Sequence, residues 1–178
     1  MNAQQTTAAA LRSLTATTLI AQNTLAGGRV EQERTLPLAS GELPHLNVFL
    51  DESGEAQYQG GPRFLVTGKL QIKATLQRAR LPDALADLDT LVWQIKDALF
   101  CEPGWVALAN QILSYAVTAS FKSDENVHQG DALITMSCQW LEIAAIRGPG
   151  PLTGVDTRIN FGTAGVTEPL LTVTNFGT

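Results

Sequence analysis

RFLVTGKLQIKATLQRARLPDALADLDTLVWQIKDALF, residues 63–100, is the stretch that decides the fold. From Phe64 to Gln77 apolar and polar side chains alternate, and only Leu65 breaks the alternation. A period of two over this length predicts a half-buried strand in an antiparallel or mixed sheet.

After Pro82 the apolar period changes to steps of three and four, which predicts an amphipathic helix. Pro82 suits the first turn of a helix, and Asp83 and Asp87 suit its positive end. A long strand followed by a long helix, each with an apolar face to cover, indicates a structural core rather than an active site. The predicted inward residues of the helix are Leu81, Ala84, Leu85, Leu88, Leu91, Val92, Ile95 and Leu99.

Composition bounds the class of protein. The 178 residues fit one domain, with room for an appendage, and 44% hydrophobic with 16% charged residues is typical of a soluble globular protein. A formal charge of −5 argues against an electrostatic grip on nucleic acid, but it leaves open a surface past which DNA slides. The chain has neither an apolar run near the roughly 20 residues of a membrane span nor the pattern of a secretory signal. Cys101 and Cys138 are predicted to be free, buried thiols.

The remaining patterns complete an α+β fold, in which one mixed or antiparallel sheet has its helices packed on one face. A helix is predicted at 8–25, ended by Gly27 and Gly28, and a short helix or connector at 105–113. A polar loop is predicted at 52–63, and a long loop that contains His128 joins the last two strands. Besides the long central one, strands are predicted at 29–34 as a charged edge, 45–51, 113–121 and 132–140.

At Gly148 the composition shifts. Residues 148–178 contain six Gly, three Pro and seven Thr in 31 residues, too many helix breakers for a helix. Their apolar side chains are too numerous for a solvated tail, yet the segment is too short for its own core. We therefore divide the chain into a domain at 1–147 and an extended C-terminal arm at 148–178, which docks on a neighbouring subunit or, alternatively, folds back on its own domain. The arm's candidate interface residues are Leu152, Ile159, Phe161, Leu170, Leu171 and Phe176.

No nucleophile motif, phosphate loop or metal-ligand spacing is present, so no catalytic residue, cofactor or metal is predicted. His45 and His128 are expected to have surface or packing roles. Arg78 and Arg80 either form ion pairs across a subunit boundary or mark an exposed strand end. These features favour a protein that works through shape and contact rather than as an enzyme.

The order of these patterns resembles that of the tail terminators, minor tail proteins that cap the tail tube of long-tailed bacteriophages. The resemblance covers about residues 11–143. It rests on LPHLNVFLDE at 43–52, RFLVTGKLQIKATLQRA at 63–79, ALADLDTLVWQIKDALF at 84–100, SYAVTASF at 114–121 and ALITMSCQWLEI at 132–143.

This resemblance implies a protomer that assembles in the host cytoplasm into a homo-hexameric ring of the virion, away from any membrane. Such a ring stops polymerisation of the tail tube protein, meets the head–tail connector protein, and lets DNA pass through its hole as cargo. Closed rings use heterologous interfaces between two different faces. The charged candidates for that contact are Arg29, Glu31, Glu33, Arg34 and, from the polar loop, Arg63.

Three other functions remain open at the level of sequence. The nearest is another neck component, such as a head–tail connector or tail-completion protein. A small enzyme with a loop-borne pocket would have to rely on His45, Arg78 and Arg80. A cellular adaptor would use the C-terminal arm for strand addition.

Overall fold

In a computed structural model of the chain, the alternating stretch forms a single strand in the middle of the sheet. The described residues are 6–52, 56–60, 63–124 and 127–143, so the predicted boundary at 147 and the C-terminal arm lie outside them. The helices are α1 (Thr7–Ala21), α2 (Leu81–Phe100) and α3 (Pro103–Ala109), with one turn of 3-10 helix at Ser40–Glu42. The strands are β1 (Val30–Gln32), β2 (His45–Asp51), β3 (Ala56–Tyr58), β4 (Arg63–Arg78), β5 (Gln111–Asp124) and β6 (Val127–Ile143).

The sheet has the strand order β1-β2-β4-β6-β5, and β3 pairs with the beginning of β4. β1 runs parallel to β2, while the other pairs are antiparallel. β4 pairs with β6 along its whole length, from Arg63 opposite Ile143 to Arg78 opposite His128. This mixed sheet with its helices confirms the predicted α+β fold.

The core lies between the sheet and the helices. Along β4 the residues from Gly68 to Leu76 that share the predicted apolar face are buried, whereas Lys69 and Lys73 on the other face are exposed. The same alternation buries one face of β6 from Gly130 to Trp140. The helices cover this face with Leu11 and Leu19 from α1, Trp105 from α3, and Ala84, Leu88, Leu91, Ile95, Ala98 and Leu99 from α2.

The inward stripe of α2 is narrower than the sequence indicates. Leu81 and Leu85 were expected inside but are 38% and 42% exposed. Leu81 lies in the first turn, and Leu85 lies about a quarter-turn from the line through Ala84 and Leu88. The prediction for these two residues is therefore wrong.

Two further expectations about local structure are also wrong. α1 ends at Ala21 rather than near residue 25, because the chain leaves the helix at Gln22 and Asn23 takes a positive φ of 50° before any glycine is reached. The predicted polar loop contains β3, which has only three residues, all exposed, and is too short to show an alternating pattern.

The hairpin between β5 and β6 is much tighter than predicted. Asp124 already pairs with Val127, so His128 lies in β6, opposite Ser123 and Arg78, and not in a loop. The alternation of apolar side chains is interrupted here, because an inward-facing position of β6 is occupied by Gly130, which has no side chain. A Cβ at Gly130 would lie 3.0 Å from the ring of Phe121, so the ring occupies the space that a side chain would fill.

The two cysteines are free, as predicted, but only Cys138 is buried. Cys101 is exposed because it is the C-cap residue of α2 and its thiol points to Asp97. Burial raises the pKa of Cys138 to about 11.

We expect the two thiols to be labelled in two separate phases. Near pH 8 the raised pKa alone keeps Cys138 roughly 100-fold less reactive than an ordinary thiol, and burial slows it further. A thiol reagent followed by mass spectrometry should modify one site in the native protein and the second only on unfolding. In the Cys101→Ser variant the native phase should vanish; a fast native phase that remained would contradict the burial of Cys138.

Candidate functional site

The β1 edge of the sheet is short and charged. Arg34 donates from Nη1 to Glu31 Oε1 at 3.0 Å and from Nη2 to Glu42 Oε2 at 2.9 Å. Arg12 on α1 forms an ion pair with Glu33. Glu31, Glu33 and Arg34, which were predicted to lie at a subunit interface, therefore form ion pairs within the chain.

These ion pairs shape the loop that follows β1. Hydrogen bonding to Glu42 raises the pKa of Arg34. The pKa of Glu42 is lowered, first by the hydrogen bond from the backbone N–H of Ala39 and second by the one from Arg34. Asn47 accepts from the backbone N–H of Arg34 at 3.1 Å and donates to its carbonyl oxygen at 2.7 Å. Exposed ion pairs add little stability, so their main effect is to fix the path of the loop. Arg29 contributes in the same way, donating from Nε to the carbonyl of Pro44 at 2.8 Å.

A pocket of about 290 Å³ lies under this loop. His45 lies at its wall and is 2% exposed, which agrees with a packing role. Its Nε2 makes no hydrogen bond within the described residues, and the nearest carboxylate oxygen, Glu31 Oε2, is 3.7 Å away. The pocket is lined by Arg34, Thr35, Leu36, Pro37, Leu38, His45, Asn47, Phe49, Lys73 and Thr75.

Mild acid is expected to destabilise the protein through His45. Burial, as the largest effect, lowers its pKa below 6.5, although Glu31 opposes this. Below about pH 6.5 the unfolded chain then binds a proton that the folded chain rejects, so the free energy of unfolding falls as the pH falls. Glu42, whose pKa is lowered from 4.5, adds a further loss only in more acidic solution.

The measurement is urea unfolding at pH 7.5, 6.5 and 5.5, compared with the His45→Gln variant. The variant should lose the dependence on pH over this range. His128→Gln, which changes the other histidine and lies outside the pocket, is the control that should keep it. A slope that persists in His45→Gln would show that another group is responsible.

The opposite edge of the sheet, β5, is long, and charged side chains occur only near its end. Its residues 111–121 carry no charged side chain. On its helix-facing side, Tyr115, Val117 and Phe121 are 54%, 40% and 36% exposed; we call these three residues the β5 strip. The strip continues the face of the core, since these residues pair with Met136, Ile134 and Gly130 of β6.

Helix α2 borders the β5 strip without covering it. The ring of Phe100 meets that of Tyr115 edge-on, with 6.2 Å between centroids, and Lys96 Nζ lies 5.9 Å from the centre of the same ring. Trp93, farther out on α2, is 60% exposed. An apolar surface of this kind beside a polar rim is typical of a contact with another protein.

The other predicted interface residues are scattered. Arg63 is exposed at the start of β4, and Arg80 is exposed just before α2. Arg78 donates from Nε to Asp87 Oδ2 at 2.5 Å, which joins the end of β4 to α2 within one chain. The arm residues Leu152, Ile159, Phe161, Leu170, Leu171 and Phe176 lie outside the described residues.

Sequence reasoning did not identify the β5 strip as a surface. The alternation from 113 to 121 located its apolar face correctly, but nothing in the pattern said that no helix lies over it. The available signal was the absence of charge over eleven residues. Strands at exposed sheet edges usually carry charges or prolines that prevent pairing.

Two negative findings apply to the described ranges. Within residues 6–52, 56–60, 63–124 and 127–143, no three His, Cys, Asp or Glu side chains are grouped so that they could hold a metal ion. Among the helices described, none is long and apolar enough to cross a membrane.

The chain was also compared with known proteins. It matches no family profile and no curated protein. Among solved structures it is similar to a chain of the virion of a native gene transfer agent particle, with 13% identity and a TM-score of 0.35. The match covers 68% of this chain and 84% of that one. At so low a TM-score the similarity carries no argument about fold or function.

Proposed function

We propose that this chain is a structural protein of a virion tail, and that six copies close into a ring that ends polymerisation of the tail tube. In that position the ring joins the tail to the head–tail connector. The layout of residues 11–143, which resembles the tail terminators, supports this proposal.

The observation that carries the proposal is the difference between the two edges of the sheet. β1 has three residues and is surrounded by charged side chains, whereas β5 has 14 residues and an uncharged, half-exposed apolar strip. A ring closes when one face of each copy meets a different face of the next. The β5 edge supplies one such face, and it is too apolar to be left in solvent without a partner.

The negative net charge of the chain is consistent with a ring through which DNA passes without being bound. With a formal charge of −5, a ring of these chains repels the phosphate backbone rather than gripping it. DNA would therefore pass through the hole as cargo, and no step of the proposed function needs a bound cofactor or catalysis.

The proposal is tested by light scattering and electron microscopy of the purified chain over a wide range of concentrations. We expect particles of six copies with six-fold class averages. Particles of another fixed number, or a chain that stays monomeric and never binds the ends of tail tubes, would contradict the proposal.

The position of the ring separates the terminator role from that of another neck component. Antibodies against this chain should label intact particles where the tail tube ends. Label on the portal, or on heads that lack tails, would favour a head–tail connector instead. If purified virions lacked the chain, a cellular adaptor or an enzyme would be the better interpretation.

A further inference from the structure

We propose that residues 155–161 of one copy pair as an added strand with the free edge of β5 in a neighbouring copy. The inference rests on the proposed function to the extent that copies lie side by side in a ring. It names the surface that joins them and the segment that occupies it.

The acceptor is the outer edge of β5. Within the described part of the chain, β5 pairs with β6 on one side, and no strand pairs with it on the other. Its outer backbone N–H and C=O groups are therefore available to another strand, and no charged side chain from 111 to 121 discourages pairing. Strand addition of this kind draws its affinity from main-chain hydrogen bonds and its specificity from alternate side chains.

The β5 strip defines what the added strand must look like. Its side chains on the helix side have to be apolar, because they would lie beside Tyr115, Val117 and Phe121. Its other side chains have to be polar, because the opposite face of β5 carries Ser114, Thr118 and Ser120 next to solvent. A shift by one residue would reverse both faces, so the pattern is a strict requirement.

The sequence VDTRINF at 155–161 meets this requirement. Val155, Thr157, Ile159 and Phe161 alternate with Asp156, Arg158 and Asn160, and Gly154 and Gly162 bound the segment. β-Branched and aromatic residues of this kind favour strands. Residues 169–176 fit less well, because Pro169 opens them and Leu170 and Leu171 are adjacent.

The length of the connection favours a neighbouring copy over the same chain. For antiparallel pairing across the β5 strip, residue 155 has to lie beside Phe121, which pairs with Gly130. Gly130 lies 13 residues before the end of β6 at Ile143, a distance of about 43 Å along the strand. The 12 steps from 143 to 155 span at most about 43 Å when fully extended, which only equals that distance, and they must also leave β6, pass β5 and reverse direction. Within one chain only parallel pairing is in easy reach, and it is the weaker form.

The test is disulfide formation between two differently tagged chains, both carrying Cys101→Ser. One chain carries Thr118→Cys and the other Arg158→Cys, because these residues face each other when 155 lies beside 121. Two cysteines can bridge only when their Cα atoms are within about 7 Å. We expect mild oxidation of the mixture to give a linked pair containing both tags. Lys73→Cys, exposed on β4 away from the edge, replaces Thr118→Cys as the control and should give none.

A second measurement needs no cross-link. Ile159→Asp places a charge on the apolar side of the segment and should raise the concentration needed for assembly by about ten-fold or more. Asn160→Asp adds the same charge on the polar side and should change it far less.

The outcomes separate this inference from the proposed function. If six-copy particles form but the cysteines at 118 and 158 never join different chains, the inference is wrong, while the proposed six-copy ring is still supported. A chain that carries both Thr118→Cys and Arg158→Cys is oxidised in parallel. If its two cysteines join only to each other, the segment docks on its own sheet and the inference is again wrong. A chain that is monomeric and forms no such disulfide overturns it as well. Linked chains that never close into six-fold rings support the inference and contradict the proposed ring.

Discussion

Gly68→Ala is expected to lower the free energy of unfolding by about 3 kcal/mol, the upper end of the usual cost of overpacking a filled core. A Cβ at this position would lie 2.4 Å from Cη2 of Trp140 and 2.8 Å from the carbonyl oxygen of Asp51. The indole of Trp140 is fully buried and occupies the space above the glycine. Neither the buried ring nor the paired backbone of β2 can move away without loosening the sheet.

The measurement is the midpoint of urea unfolding, with the slope checked for a two-state transition. Gly28→Ala is the matched control, because a Cβ there meets nothing within 4 Å, and its effect should stay within about 0.5 kcal/mol. Trp140→Leu should cost less in the Gly68→Ala background than in the native chain, because the smaller side chain relieves the overlap. Equal destabilisation by Gly68→Ala and Gly28→Ala would contradict the close packing.

Trp105→Ala is expected to cost about 3–5 kcal/mol, the usual loss when a large buried aromatic side chain is removed. Trp105 is fully buried and links α3 to α1, since its Nε1–H donates to Thr15 Oγ1 at 2.8 Å. The hydroxyl of Thr15 donates in turn to the carbonyl of Leu11 at 2.7 Å. Because α3 directly precedes β5, the loss should also loosen the start of the β5 edge and weaken assembly.

Thr15→Val isolates the hydrogen bond from the packing. It leaves the buried indole N–H without its acceptor and should cost about 1–3 kcal/mol. Thr17→Val removes a similar bond to the carbonyl of Ser13 on the exposed side of α1, so its effect should be within about 0.5 kcal/mol. If Thr15→Val were as mild as Thr17→Val, the hydrogen bond of Trp105 would not matter for stability.

The two edges of the sheet present different surfaces to a neighbouring molecule. At the β1 edge, Arg34 and its two glutamates are engaged with each other and with the loop, so that edge presents a closed, charged surface. At the β5 edge the strand extends beyond the cover of α2, which leaves the β5 strip open. This contrast supports a contact made at β5.

Much of the fold follows from local patterns. The bounds of β4 and α2, the buried face of β6 and the bounds of β2 all agree with the sequence, because a period of 2 or 3.6 is set by the chain's own geometry. The failures occurred where the local pattern was weak. Gly130 interrupts the alternation of β6, β3 is only three residues long and buries no side chain, and Cys101 lies at a helix end where burial depends on neighbours.

The sequence by itself determined that one long alternating strand and one amphipathic helix build the core, and that Cys138 and Trp140 face inward. Only the tertiary structure decided that β5 is an edge strand, since strand order depends on pairings between residues far apart in the chain. An alternating pattern shows that a strand has an apolar face, but not whether anything covers that face. The exposure of Tyr115, Val117 and Phe121 follows from where α2 crosses the sheet, and that crossing is set by the packing of the whole core.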